Sequence, residues 1–317
     1  MMKCLAVFLL TLGMASAFAN PLCGATPPSA SQGDGIVPQC EEARPWSLVP
    51  ELSDEFEASR LDAAKWDDWC ATFQGRRAAG PAGSPCETGF WFRPDNVAVE
   101  NGELVLTARL LDEREKASRE NAYTRYAPYA TSIVKSRRKI CYGYFEIRAK
   151  TMSACVSNAF WLYDPHSEDL DAKYSEGEIS EEIDIFEVTG RPDFYGRRDC
   201  TRTYYNTVHW YCTPYLEGIV NRKLIAPPNR SFKTKTDFGF GADYHTHGFL
   251  WTPKKLVWYL DGKPVATREN DRFHRPLHVT LDCEVFASWF GRPDPKDLPA
   301  KFRVDYLRTW ACPKGED

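Results

Sequence analysis

A succession of short runs that alternate apolar and polar residues most constrains what this 317-residue chain can fold into. One pair of runs, within residues 96–109, flanks Asn101-Gly102, a dipeptide that favours the two-residue turn of a β-hairpin. No segment carries the longer apolar period of an amphipathic helix. Short strands, regular turns and 14% aromatic residues predict an all-β fold, an antiparallel β-sandwich of the jelly-roll type. The same alternation returns at residues 142–150, 256–260, 277–286 and 302–310.

The composition divides the chain into three parts. Residues 1–19 hold one lysine, an apolar run and the small residues of an A-x-A cleavage site, which is the pattern of a secretory signal peptide. Residues 20–46 are rich in Pro, Gly, Ser and Ala and predict an N-terminal extension. Residues 47–313 predict a single catalytic β-sandwich domain, in which residues 112–132 and 213–237 read as loops. We therefore expect a secreted, extracellular protein.

The cysteine content agrees with export. Cys4 lies in the predicted signal peptide, so 11 − 1 = 10 cysteines remain in the mature chain, an even number that suits disulfides. No C-x-x-C pair occurs, which argues against a zinc ribbon or a redox motif. Cys70 with Cys86, and Cys200 with Cys212, are candidate local pairs.

The charge distribution excludes some partners. A net charge of −4 predicts no nucleic-acid binding. No segment after residue 19 has the roughly 18 apolar residues of a membrane span, so we expect no membrane partner. We also expect a monomer. Three basic clusters are either solvated surface or contacts for an anionic polymer such as a sulfated glycan. They are Arg76-Arg77, Arg137-Arg138-Lys139 and Arg197-Arg198.

An acidic segment within residues 178–188 carries the chemistry. Glu182 and Asp184 are each followed by isoleucine, so on a strand the two acids share one face and the isoleucines the other. Glu187 has the wrong parity for that face, and one β-bulge near Ile185-Phe186 would correct it.

Three carboxylates on one strand face suit the cleavage of a glycosidic bond. One carboxylate attacks the anomeric carbon while another, with a raised pKa, gives a proton to the leaving oxygen. As pure structure the arrangement is costly, because like charges raise one another's pKa. An acidic edge strand with solvated carboxylates is the first alternative. A calcium loop is the second, although glycine and asparagine are missing among the acids.

Several motifs together resemble glycoside hydrolase family sixteen. Residues 182–187, E-I-D-I-F-E, are similar to the family's E-I-D-x-x-E signature, in the bulged form of its laminarinases, agarases and carrageenases. The resemblance covers residues 50–312 or so. Other similar segments follow in the family's order at residues 53–56, 96–106, 142–150, 159–162, 249–262 and 304–310.

The resemblance implies a jelly roll with an open cleft on its concave sheet. It implies Glu182 as nucleophile, Glu187 as acid/base and Asp184 as their assistant, with no cofactor for catalysis. It implies a structural Ca²⁺ held by the Asp305 side chain and the Gly102 carbonyl, although Asp305 also reads as an ordinary exposed strand residue.

The predicted substrate-binding residues are Trp161, Asn158, His209, Trp210, Glu284 and Arg93. Trp161 is implied as the floor of the cleft, and a buried core tryptophan is the alternative. Arg93, Arg137 and Arg138 would either grip sulfate esters or pair with acids on the rim.

The late strand within residues 277–286 resembles that of β-agarases, carrageenases and porphyranases more than the glycine-rich strand of laminarinases. The expected function is a secreted retaining endo-glycoside hydrolase that cleaves a red-algal galactan of the agarose, porphyran or carrageenan type. The alternatives are a laminarinase-type endo-1,3-β-glucanase of the same family and a non-catalytic lectin on the same fold.

Overall fold

The computed structural model describes residues 46–68, 90–117, 128–164, 178–191, 200–213, 215–216, 219–220, 223–224, 231–286 and 289–311. These residues form one short α-helix, α1 (Glu113–Ala117), and nineteen strands. The strands are β1 (Ser47–Leu48), β2 (Trp66–Asp67), β3 (Phe90–Phe92), β4 (Val97–Glu100), β5 (Glu103–Leu110), β6 (Tyr129–Ile140), β7 (Gly143–Lys150), β8 (Ser157–Tyr163), β9 (Glu178–Val188), β10 (Thr203–Thr213), β11 (Tyr215–Leu216), β12 (Ile219–Val220), β13 (Lys223–Leu224), β14 (Ser231–Lys235), β15 (His245–Trp251), β16 (Lys255–Leu260), β17 (Lys263–Glu269), β18 (Leu277–Glu284) and β19 (Ala300–Ala311).

The strands form two mainly antiparallel layers. The first layer has the order β4-β5-β19-β7-β15-β16-β17, with β1 beside the end of β19. The second has the order β2-β6-β18-β8-β9-β10-β14. The long strand β6 also pairs with β5, so the sandwich is nearly closed along one side. The predicted antiparallel β-sandwich is confirmed.

Two hairpin turns follow from their sequences. Asn101 and Gly102 have φ values of 56° and 78°, and Asp261 and Gly262 have 47° and 71°. A two-residue turn needs this left-handed conformation at both positions, which Asn, Asp and Gly tolerate best. The predicted hairpin around Asn101-Gly102 is therefore confirmed as β4 and β5.

The core lies between the two layers and follows the strand alternation. In β18, the side chains of Leu277, Val279 and Leu281 are buried in this core. In β8, Phe160 and Leu162 point the same way. The residues between them lie on the outer face of the second layer, and this outer face carries the candidate site.

Two predicted loops contain regular structure. Residues 112–132 include α1 and the start of β6, and residues 213–237 include β11 to β14. Helix α1 is stabilised by a capping box, because Asp112 Oδ1 accepts from the Glu115 amide at 2.7 Å and Glu115 Oε2 accepts from the Asp112 amide at 2.9 Å. The loop predictions were wrong there. A single turn and two-residue strands have no measurable period, whereas the five-residue strand β14 and the start of β6 were missed.

The cysteine predictions are resolved only in part. Cys141 and Cys283 are free thiols, so they do not contribute to the expected disulfides. The Tyr205 hydroxyl donates to Cys200 Sγ at 3.5 Å. The side chain of its candidate partner Cys212, the pair Cys70 and Cys86, residues 1–19 and nearly all of 20–46 lie outside the described residues. No described helix is long and apolar enough to cross a membrane.

The central basic cluster lies on the surface and is engaged locally. Arg138 Nη1 lies 3.0 Å from Glu51 Oε1, and Arg137 Nε donates to the Ala63 carbonyl at 2.7 Å. The sequence allowed these arginines either to bind sulfate or to pair with a nearby acid. Arg138 pairs with an acid. The other two basic clusters lie outside the described residues.

Candidate active site

Strand β9 carries a β-bulge at the predicted position. Along the neighbouring strand β8, Trp161 lies opposite Asp184 and Phe160 lies opposite Phe186, which leaves Ile185 as an extra residue. The pairing of β9 with β10 shifts at the same place. The predicted bulge is confirmed.

The bulge decides which side chains reach the outer face. Ile185 and Phe186 are both fully buried in the core, so Glu187 returns to the face that Glu182 and Asp184 occupy. Asn206 of β10 supports the bulge, since its buried Nδ2 donates to the Ile185 carbonyl at 2.5 Å. The sequence analysis did not identify Asn206; its signal is an amide residue inside a strand of aromatic and β-branched residues.

Glu182, Asp184 and Glu187 line a pocket on the outer face of the second layer, with about 260 Å³ of empty space. Its lining includes five carboxylates. Asp282 is one that the sequence analysis missed, although it is two residues from Glu284 on β18 and therefore shares its face. The lining residues are Ser157, Ala159, Trp161, Glu182, Asp184, Glu187, Asp282, Glu284 and Phe286.

The surroundings of Glu187 favour its protonated form. Burial raises the pKa of its carboxyl group well above the ordinary value, and the negative charges of Asp184, Glu182, Glu284 and Asp282 raise it further. A carboxyl group that keeps its proton can give it to a leaving oxygen.

His209 lies beside Glu182 and Asp184. It lies directly opposite Glu182 in the pairing of β10 with β9, and its side chain is 14% exposed. Its Nε2 lies 3.2 Å from Asp184 Oδ2 and 3.7 Å from Glu182 Oε1. Below these side chains, Trp258 Nε1 donates to the Asp184 carbonyl at 3.1 Å and fixes β9 against the first layer.

Residues 46–312 match a family model described as Beta-porphyranase A-D, GH16 domain. The chain belongs to glycoside hydrolase family 16. The curated relatives include a kappa-carrageenase of Pseudoalteromonas carrageenovora, 28% identical across 86% of this chain and 66% of its own length. Beta-porphyranase B of Zobellia galactanivorans is also 28% identical, across 84% of each chain. The chain thus spans about two thirds of the first relative and most of the second.

Solved structures agree with the fold of this family 16 chain. The beta-porphyranase from the human gut bacterium Bacteroides plebeius superimposes with a TM-score of 0.68 at 20% identity, over 86% of this chain and 94% of the other. The kappa-carrageenase of Pseudoalteromonas carrageenovora, solved with an oligotetrasaccharide of kappa-carrageenan, gives 0.64 at 24% identity, over 90% and 98%. At these identities the likeness concerns the fold alone.

Trp161 of the family 16 chain satisfies parts of both interpretations made from the sequence. It lines the pocket, but only 4% of it is exposed. Its ring packs against Tyr163 with the centroids 5.3 Å apart, in a small apolar cluster with Phe90, Phe92 and Tyr129 on the outer face. Trp161 is thus a buried wall of the pocket.

Two predicted substrate-binding residues, Asn158 and Trp210, point away from the pocket. Asn158 is fully buried, and its amide group bonds to the Met152 N–H at 3.1 Å and to the Val156 carbonyl at 2.9 Å. Trp210 follows His209 directly, so it has the opposite parity on β10 and packs against the main core. Both predictions were wrong because strand residues separated by an odd number of positions face opposite sides, as Asn158 does relative to Trp161 and Trp210 relative to His209.

Arg93 is also outside the pocket. Its Nε lies 3.1 Å from Asp95 Oδ1 and 3.6 Å from Glu115 Oε1, and its guanidinium lies 4.6 Å from the centroid of the Trp91 ring. The same two carboxylates also pair with Arg109, so Arg93 belongs to a local ion-pair network outside the pocket, and sulfate binding by Arg93 stays a prediction.

Glu181, the acid directly before Glu182, has a separate structural role. Glu181 is buried on the other side of β9, and its Oε2 accepts from the backbone N–H groups of His274 at 3.1 Å and Arg275 at 3.2 Å. Burial raises the pKa of Glu181 to about 7, against the opposing effect of these two bonds. Glu181 thus ties the segment before β18 to β9.

Of the two residues implied for calcium, Asp305 is paired with an arginine. Asp305 Oδ2 accepts a hydrogen bond from Arg148 Nη1 at 2.8 Å, and Gly102 sits in its turn beside the Glu57 carboxylate. A calcium ion on Asp305 Oδ2 would have to displace the Arg148 guanidinium, so these residues do not fit the ion as they stand. Calcium binding stays a prediction.

Proposed function

We propose that this protein is a secreted, monomeric, retaining endo-glycoside hydrolase that cleaves a red-algal galactan. The observation that carries the proposal is the bulged strand β9, which turns Glu182, Asp184 and Glu187 toward one pocket. Family membership and the galactanase relatives support the reaction class, and the raised pKa of Glu187 supports the division of roles.

The mechanism uses the two glutamates in turn. Glu182 attacks the anomeric carbon and forms a glycosyl ester as the bond to the leaving oxygen breaks, and Glu187 gives that oxygen its proton. Glu187, now ionised, takes a proton from a water molecule, which attacks the same carbon and releases Glu182. Two inversions at one carbon retain the anomeric configuration. Asp184, between them in sequence, contributes the negative charge that helps keep the proton on Glu187.

The substrate class follows from the relatives and from the charge of the pocket. Curated relatives are named as a kappa-carrageenase and as porphyranases, so the proposed substrates are agarose, porphyran and carrageenan. Five carboxylates line the pocket and would repel a sulfate ester there. We therefore infer that any sulfate ester on the polymer, including one on the galactose unit attacked by Glu182, points out of the pocket.

The test is a reducing-end assay of the purified chain on agarose, porphyran, κ-carrageenan and laminarin. We expect new ends from one galactan, with the product first released in the retained anomeric form by proton NMR. Glu182→Gln should abolish turnover while binding of the polymer persists, because stacking and hydrogen bonding do not need the charge. Glu113→Gln, at a side chain that is 89% exposed on α1, is the control and should be fully active.

Each other outcome has a definite meaning. Full activity in Glu182→Gln would overturn the assignment of the nucleophile. Cleavage of laminarin alone would favour the endo-1,3-β-glucanase alternative. Binding of a galactan without any cleavage by the wild type would favour the lectin.

A further inference from the structure

We propose that Glu182, Asp184 and His209 together form a binding site for Zn²⁺, through which the metal inhibits the protein. Zinc is bound by imidazole nitrogens and carboxylate oxygens, and three protein ligands with a fourth position open to solvent are common in accessible sites. Within the described part of the chain, this is the only group of three acidic, histidine or cysteine side chains whose ligand atoms all lie within 4.8 Å of one another.

The distances between the ligand atoms suit a tetrahedral ion. His209 Nε2 lies 3.2 Å from Asp184 Oδ2 and 3.7 Å from Glu182 Oε1. Ligand atoms bonded to one tetrahedral zinc at roughly 2.0–2.2 Å lie roughly 3.3–3.5 Å apart. An ion can therefore bind after small side-chain rotations, with the backbone of β9 and β10 unchanged.

Asp184 supplies a second, independent observation. The residue is 4% exposed, and its Oδ2 makes no hydrogen bond of acceptable geometry to any residue that the structure describes. A buried carboxylate oxygen without such a bond is costly. His209 Nε2 lies 3.2 Å from this oxygen without forming such a bond, and a cation between the two side chains would satisfy it.

The surrounding charge favours a cation, and the ligand set selects its class. Asp282 and Glu284 also line the pocket and add negative potential around the cluster. Calcium and magnesium prefer oxygen ligands in larger numbers, whereas one imidazole with two carboxylates suits zinc. Once zinc is bound, the Glu182 oxygen coordinates the metal and is no longer available as a nucleophile, so occupancy and inhibition should coincide.

The experiment is a calorimetric titration of the full chain with ZnCl₂ at neutral pH, without any substrate. We expect one zinc per chain in the wild type, and little heat with CaCl₂ or MgCl₂. His209→Gln and the isosteric variant Glu182→Gln should each weaken zinc binding by about tenfold or more, as expected for loss of a group that holds the metal. Melting curves establish that each variant is folded.

The matched control is His274→Gln. His274 is an exposed histidine whose Nδ1 bonds to the Tyr142 hydroxyl, so a surface zinc site would respond to its loss whereas the proposed site would not. Unchanged zinc affinity in both His209→Gln and Glu182→Gln, or loss of binding only in His274→Gln, would overturn the proposal. Because the titration contains no polysaccharide, its result is independent of whether the proposed galactanase activity is found.

Discussion

Glu181 provides a direct test of how burial controls protonation beside the nucleophile. Glu181 is 3% exposed. The backbone N–H groups of His274 and Arg275 both donate a hydrogen bond to the same carboxylate oxygen, Oε2. Glu181→Gln keeps a carbonyl oxygen for these two donors and removes the titration. The variant therefore imitates the protonated glutamic acid at every pH.

The expected effect follows from the pKa of about 7 against the ordinary value of 4.5. The difference, 7 − 4.5 = 2.5 pH units, corresponds to about 3.4 kcal/mol as an upper limit. Between these two pH values the unfolded chain loses the proton while the folded chain keeps it, so the free energy of unfolding falls as the pH rises. Relaxation around the ionised group reduces the change, and about 1–3 kcal/mol is the expected range.

Urea unfolding at several pH values from pH 4 to 8 measures this effect. The stability of Glu181→Gln relative to the wild type should increase as the pH rises and level off above pH 7. Glu100→Gln is the control with the opposite sign, since Lys301 lowers the pKa of Glu100 and its loss should cost a little stability at neutral pH. If the wild type and Glu181→Gln keep a constant difference across this range, the burial argument fails.

Three further predictions concern the site and its support. Glu187→Gln should lower turnover of the polysaccharide by at least about 10²-fold. In the wild type, kcat should fall on the alkaline side only at a pH well above 4.5, the ordinary glutamate pKa. A fall in kcat at pH 4.5 would contradict the assignment of Glu187 as the acid. Asn206→Leu should lower the free energy of unfolding in urea by about 1–3 kcal/mol, because the buried Ile185 carbonyl loses its donor. The same variant should lower kcat, and unchanged activity would mean that the bulge does not need Asn206. In Arg148→Gln, added calcium should raise the melting temperature, since Asp305 is then free to bind the ion. Equal melting curves of this variant with calcium and with chelator would refute calcium binding at Asp305.

The fold and the catalytic strand could be predicted because local rules decide them. The left-handed turn at Asn101-Gly102 needs no tertiary information. The bulge followed from parity alone, since Glu187 can join Glu182 on one face only if one extra residue intervenes. Here the local pattern and the tertiary structure agree.

The errors have two different causes. The errors at Asn158 and Trp210 were avoidable, because each residue is separated by an odd number of positions from a residue placed in the cleft. Asn158 is three residues before Trp161, and Trp210 directly follows His209. The position of Arg93 outside the pocket has another cause, because one of its acidic partners, Asp95, is two residues away, whereas the other, Glu115, is 22 positions away in the sequence and is brought close only by the tertiary structure.

The charge arrangement also explains how one carboxyl group can serve in both steps of the proposed mechanism. Glu182 is among the negative groups that raise the pKa of Glu187. When Glu182 becomes a glycosyl ester it loses this charge, so the pKa of Glu187 falls at the step in which Glu187 must become a base. When the ester is hydrolysed, the charge returns and Glu187 again retains its proton. This contribution to the change from acid to base needs no movement of β9, because it comes from the loss of charge on Glu182 alone.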